Sequence, residues 1–147
     1  MQFEIFCKKV IRKLSRSLGI IIYRFAPIDE NLFVFQSEGD FWDNAYALFE
    51  YMVSNGYNSK YRLIWLVDEP ALYEGFKYQN VEFVKYNSFS IKEIFYEQKI
   101  MRTARYFFFT HRGYINARKN QTVVNLWHGG VVMKAFNGKP SLYKTFD

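Results

Sequence analysis

Short apolar runs alternate with helix-period stretches from Leu32 to Leu126, and this alternation restricts the fold more than any other feature of the chain. Leu32 to Gln36, Arg62 to Val67, Val81 to Tyr86, Tyr106 to Thr110 and Thr122 to Leu126 read as strands, because β-branched and aromatic residues dominate them. Asn44 to Ser54 carries a helical stripe of Ala45, Leu48, Phe49 and Met52, and Asn55-Gly56 closes it. Ser90 to Ala104 reads as a second helix with Ile91, Ile94, Phe95, Ile100 and Met101 inward. Pro70 to Phe76 suits a short helix. Strands alternating with helices predict βαβ units and a mostly parallel sheet. His111 to Gln121 is short for a parallel crossover, so one compact helical turn is expected there.

The N-terminal segment has a different character. Phe3, Phe6, Val10, Leu14 and Leu18 recur at spacings of three and four, which predicts a helix over Phe3 to Leu18. Lys8, Lys9, Arg12, Lys13 and Arg16 occupy much of the rest, with Glu4 as its acid. A basic amphipathic helix of this kind suits the surface of an anionic bilayer. An ordinary surface helix packed on the domain is the alternative. Pro27 and Asp29-Glu30-Asn31 punctuate the chain after it, which divides the sequence into a basic helix with linker, 1–30, and one α/β domain, 31–147.

The chemistry collects at strand ends. In a parallel sheet Ser37, Asp68, Thr110-His111 and Trp127-His128 share one edge, the edge where α/β proteins place ligands. Trp127-His128-Gly129-Gly130 follows the run Val123-Val124-Asn125-Leu126, and the helix-compatible stretch Val131 to Phe136 comes next. Strand, glycine turn and helix N-terminus together suit an anion. His128 brings the side chain best matched to proton transfer near neutral pH, and Lys134 adds positive charge. The same pattern also fits a packed or capping histidine in an unliganded turn. His111 is a second candidate, with a plain surface position after a strand as its alternative. Ser37, Glu38 and Gly39 sit where a loop approaches a ligand. Asp43 is expected to cap the helix that begins at Asn44.

Several classes are excluded or disfavoured. The chain has no Gly-x-Gly-x-x-Gly, no phosphate loop and no Gly-x-Ser-x-Gly. No cysteine or histidine spacing suits zinc, and neither a metal nor another cofactor is expected. Cys7 is the single cysteine, so no intrachain disulfide forms, which fits a reducing cytoplasm. No stretch reaches the length of a spanning helix, and no signal peptide is recognisable. The net charge of +6 points to an anionic partner: phosphate, an acidic membrane face or nucleic acid. No RNA-binding motif supports the last of these.

Asn125-Leu126-Trp127-His128-Gly129-Gly130, with Lys134 and Gly138 following, resembles the Trp-His-Gly motif of the CDP-glycerol glycerophosphotransferase family, whose members build teichoic acids and related capsular polymers. Phe35-Gln36-Ser37-Glu38-Gly39, Asp43-Asn44-Ala45 and Leu48-Phe49-Glu50-Tyr51 are similar to that family's first strand, loop and helix. Tyr61 to Val67 is similar to its second strand. Many members carry Thr-Pro or Ile-Pro after the motif, where this chain has Gly130-Val131-Val132.

The resemblance implies a Rossmann-like, mostly parallel α/β sheet, the N-terminal, acceptor-side half of a glycosyltransferase B-type fold, with the donor-binding domain absent. It implies a reaction in which an acceptor hydroxyl attacks the β-phosphate of CDP-glycerol or CDP-ribitol. His128 would be the catalytic base. Ser37, Gly39, His111, Trp127, Gly129, Gly130 and Lys134 would contact substrate. The donor would bind mainly to the second half. The acceptor would be a lipid-linked polyol-phosphate or glycan, met at the cytoplasmic face of the cell membrane. There Lys8, Lys9, Arg12, Lys13 and Arg16 would contact the anionic surface, and no nucleic acid is expected. The competing expectations are a non-catalytic membrane-surface or acceptor-binding module and a nucleic-acid-binding α/β domain.

Overall fold

The apolar runs of the domain are buried on both sides, which is the environment that a parallel sheet between two helical layers requires. The computed structural model describes residues 2–110 and 117–126. The sheet contains β1 (Asp29–Gln36), β2 (Arg62–Val67), β3 (Val81–Lys85), β4 (Ala104–Phe109) and β5 (Thr122–Asn125) in the order β3-β2-β1-β4-β5. Every pairing is parallel: Phe35 lies opposite Trp65 of β2 and Phe108 of β4, and Phe108 lies opposite Val124 of β5. The helices are α1 (Gln2–Tyr23), α2 (Asp43–Ser54) and α3 (Ile91–Thr103).

Strand alternation sorts the core into two layers. Leu32 and Val34 of β1, Ile64 and Leu66 of β2, and Phe107 and Phe109 of β4 pack with Ile100 and Met101 of α3. Phe35, Leu63, Trp65 and Val67 point the other way, onto Ala45, Phe49 and Met52 of α2. Phe35 stacks on Trp65 at 5.6 Å and meets Phe49 edge-on at 5.8 Å. The chain runs outward from β1 through β2 to β3, then returns to the other side of β1 for β4 and β5. The topological switch therefore falls between β1 and β4.

The strands match expectation closely, with local differences. β1 begins at Asp29, so Asp29-Glu30-Asn31 opens a strand where a linker was expected. The segment expected as a short helix forms a 3-10 turn, Pro70–Tyr73. α3 passes into β4 without a loop. Gly56, with φ +72°, follows Asn55 at the end of α2, as a helix stop requires. Asp43 is not the cap of α2: the position before the helix is Trp42, and no side chain caps it. Ile91 is exposed, because it opens α3 beyond the edge of the core.

The N-terminal helix is longer than its periodicity suggested, and it is seated by its polar side. Gly19 lies against Gln98 of α3; a Cβ at Gly19 would come within 2.9 Å of the Gln98 Cβ and Cγ. Arg16 reaches Glu97 of α3 at 2.6 Å, and Ser15 is buried. Glu97 is 1% exposed and also accepts the Asn87 amide at 3.1 Å. Burial disfavours the Arg16 cation, but the charge and hydrogen bond of Glu97 together with Tyr86 outweigh it, so the guanidinium is held above its usual pKa. Phe6, Leu14, Leu18 and Ile21 are 62%, 60%, 54% and 65% exposed. The helix is packed on the domain, as the alternative reading had it, yet its apolar stripe stays uncovered among the described residues.

Candidate active-site edge

The switch between β1 and β4 gathers the carboxyl ends of the central strands, and hydrogen bonds join them to α2. The Thr110 amide donates to the Gln36 carbonyl at 3.2 Å, and the Thr110 hydroxyl accepts the Glu38 amide at 3.3 Å. Ser37 is buried, and its hydroxyl accepts the Trp42 amide at 3.1 Å. The Leu126 amide donates to the Phe109 carbonyl at 2.7 Å. The Asn44 side chain donates to the Leu126 carbonyl at 2.9 Å. Gln36 is 2% exposed, and its Oε1 has no partner among the described residues.

The loop between Ser37 and α2 has an unusual backbone. Gly39, Asp40, Phe41 and Asp43 have φ of +79°, +53°, +38° and +69°. Three of these are not glycine, and left-handed backbone at such positions costs energy that surrounding contacts must offset. Phe41 supplies one offset. Its ring meets Tyr46 at 4.8 Å, Trp65 at 5.1 Å and Phe83 at 5.1 Å. Asp40 supplies another, because its carboxylate accepts the Asp68 amide at 2.6 Å and ties the loop to the end of β2. Partial burial raises the Asp40 pKa against the opposing pull of backbone amides at Asp68 and Glu69. Among the described residues no atom lies within 4 Å of where a Cβ at Gly39 would sit. Trp42, at the end of this loop, is 71% exposed.

Of the residues expected at this edge, Ser37 and Thr110 are brought together, and Asp68 joins them through Asp40. His111, Trp127, His128, Gly129, Gly130 and Lys134 lie outside the described residues, as does most of the expected turn from His111 to Gln121. The described end of that segment is a turn closed by the Gln121 amide on the Arg118 carbonyl at 3.0 Å. On α1, Lys8 pairs with Glu4 at 2.7 Å, while Lys9 and Lys13 are exposed. Arg12 donates to Asn87 and lies over the Phe89 ring, so it and Arg16 are engaged by the domain. Among the described residues no helix is long and apolar enough to cross a membrane, and no group of three or more metal-ligating side chains converges.

Asp40 and Asn44 were not singled out from composition or spacing, since both link segments distant in sequence. Their signal was local: the Asp43-Asn44 pair at the start of a helix, and the clustering of Gly39 and Asp40 in one loop.

Residues 20–144 match the CDP-Glycerol:Poly(glycerophosphate) glycerophosphotransferase family. The chain belongs to this family. It is 28% identical over 141 residues to the teichoic acid poly(glycerol phosphate) polymerase of Bacillus spizizenii, a match covering 93% of this chain and 33% of that protein. Its fold is similar to the wall teichoic acid polymerase TagF, with TM-score 0.61 and 22% identity over 88% of this chain and 32% of the other. A TagF variant soaked with CDPG matches at TM-score 0.62, with the same 22% identity and coverage. The chain thus spans about a third of the length of these relatives. The parallel α/β sheet expected from the sequence is the one found, in the fold that TagF shares.

Proposed function

We propose that this chain is the acceptor-side part of a polyol-phosphate transferase of teichoic acid or capsular polymer synthesis, using CDP-glycerol or CDP-ribitol. The observation that carries the reading is family membership across 20–144, a span that contains both the strand-end network at Ser37 and Thr110 and the Trp127-His128-Gly129-Gly130 segment. An acceptor hydroxyl attacks the donor β-phosphorus. Its proton passes to His128, a new P–O bond forms, and the bond from that phosphorus to the bridging oxygen breaks, releasing CMP. A positioned base of this kind contributes roughly a hundred to ten thousand fold. Gly129, Gly130 and Lys134 steady the phosphate oxygens, and Ser37 and Gly39 line the acceptor approach. His111 and Trp127 complete the contacts. Lys9 and Lys13, flanked by the exposed stripe of α1, meet the anionic cytoplasmic face of the membrane, where the lipid-linked acceptor resides.

Phosphoryl transfer requires both partners in line, so the 147-residue chain alone is expected to release no CMP from CDP-glycerol with a lipid-linked acceptor. Joined to the donor-binding half of a relative, it is expected to do so, and His128→Ala is expected to reduce the rate by at least about a hundredfold. Robust release by the chain alone overturns the acceptor-side reading. Unchanged release by the joined His128→Ala protein removes His128 as the base.

A further inference from the structure

We propose that Asn44 is a positioning residue: its side-chain amide holds the Leu126 carbonyl and fixes where the chain leaves β5 for Trp127 and His128. This rests on the reading of His128 as the base, but the clamp itself lies wholly between Asn44 and Leu126.

Leu126 is held through both of its peptide groups. Its N–H donates to Phe109 of β4 at 2.7 Å, and its carbonyl accepts Asn44 Nδ2 at 2.9 Å. Among the described residues β5 is a four-residue strand at the edge of the sheet, paired with β4 alone. The clamp spans 82 residues of sequence and joins the start of α2 to the strand that precedes the histidine. Its aim is set by the left-handed loop before α2, which Ser37 and Asp40 fix to the ends of β1 and β2. The ends of β1 and β4 are joined in turn through Thr110. Ser37, Trp42, Asn44, Leu126 and Thr110 thereby link β1, α2, β5 and β4 in one closed circuit. An error of an ångström at a base is enough to cost catalysis, and this circuit fixes Leu126, two residues before it in the sequence.

The residue type fits the task. Position 44 is the second of α2, where an acidic side chain would favour the helix dipole. An amide supplies the N–H donor that a carboxylate lacks. Asn44→Asp therefore keeps the shape and supports the helix while abolishing the donor. Asn44→Ala abolishes the side chain.

Amide hydrogen exchange on the 147-residue chain tests the clamp directly. In both variants the Leu126 amide is expected to exchange about tenfold faster, the effect of one lost hydrogen bond. In Asn44→Asp the amides of α2 are expected to stay within about twofold of the parent. Unchanged exchange at Leu126 in both variants overturns the proposal. In the protein joined to a donor-binding half, Asn44→Asp is expected to lower kcat about tenfold with KM for CDP-glycerol unchanged. A loss confined to KM overturns the positioning role. If the joined parent protein releases no CMP, the functional reading fails on its own, and exchange at Leu126 still decides the clamp.

Discussion

Arg16→Met should destabilise the protein by about 3 kcal/mol, because it leaves Glu97 buried without its cation. Removing one partner of a buried ion pair typically costs about 3–5 kcal/mol. Two features place this case at the low end. Glu97 keeps two other donors, the Asn87 amide at 3.1 Å and Gln98 Nε2 at 3.2 Å. Arg16 is also 29% exposed, so its truncation admits water toward the carboxylate, which is itself 1% exposed. For a domain of this size about 3 kcal/mol lowers Tm by about 6–12 °C. Urea and thermal unfolding followed by far-UV circular dichroism measure it. Arg16→Met combined with Glu97→Leu replaces the pair by apolar side chains and should lie within about 1 kcal/mol of the parent protein. A single variant that loses less than about 1 kcal/mol would refute the argument. So would a double variant no more stable than the single one, since the cost would then not come from an uncompensated charge.

Gly19→Ala should cost about 1–2 kcal/mol despite the higher helix propensity of alanine, because its Cβ meets the buried Gln98 stem, which cannot swing away; a thermal melt as high as the parent's would contradict this. Asp40 has a raised pKa in the folded state, so its contribution to stability is present below its unfolded pKa and is lost as pH rises through the folded one. The stability of Asp40→Asn relative to the parent should therefore increase as pH rises from the usual aspartate range through the raised folded pKa, in paired urea titrations; a relative decrease would reverse the sign assigned to burial. Leu14→Glu with Leu18→Glu should abolish sedimentation with anionic vesicles while leaving the melt within about 0.5 kcal/mol, since both side chains face solvent. Equal binding of the parent to neutral vesicles would remove charge from the account.

The strands were legible because Val34, Phe35 and Leu63 to Val67 are buried from both faces, and two-sided burial writes a continuous apolar run into the sequence. α2 was legible for a related reason, a single stripe facing a single layer. α3 was only half legible. Ile94, Ile100 and Met101 face the sheet as their spacing implied, but Glu97 and Gln98 are buried on its other side by α1. Polar residues read as solvent-facing until the partner that covers them is known. The same logic hid the orientation of α1, whose stripe periodicity shows an apolar side without showing which side meets the domain. The strand-end edge was legible as a place and not as a network. Parallel strands put Ser37 and Thr110 together, whereas the Asn44 to Leu126 hydrogen bond joins points whose sequence separation leaves no local trace. The left-handed turn at Phe41 was equally hidden, because only the ring's aromatic surroundings make that backbone tolerable.

The seating of α1 by its polar side also bears on the order of events during synthesis. The apolar stripe from Phe6 to Ile21 is complete as soon as α1 has formed, but Glu97 and Gln98, which receive its polar side, come about 80 residues later. At about 5–20 residues per second that interval lasts several seconds. During it the helix has a finished apolar side and no seat in its own domain. Any apolar surface close to the ribosome therefore meets the apolar side of α1 before α3 exists to receive its polar side.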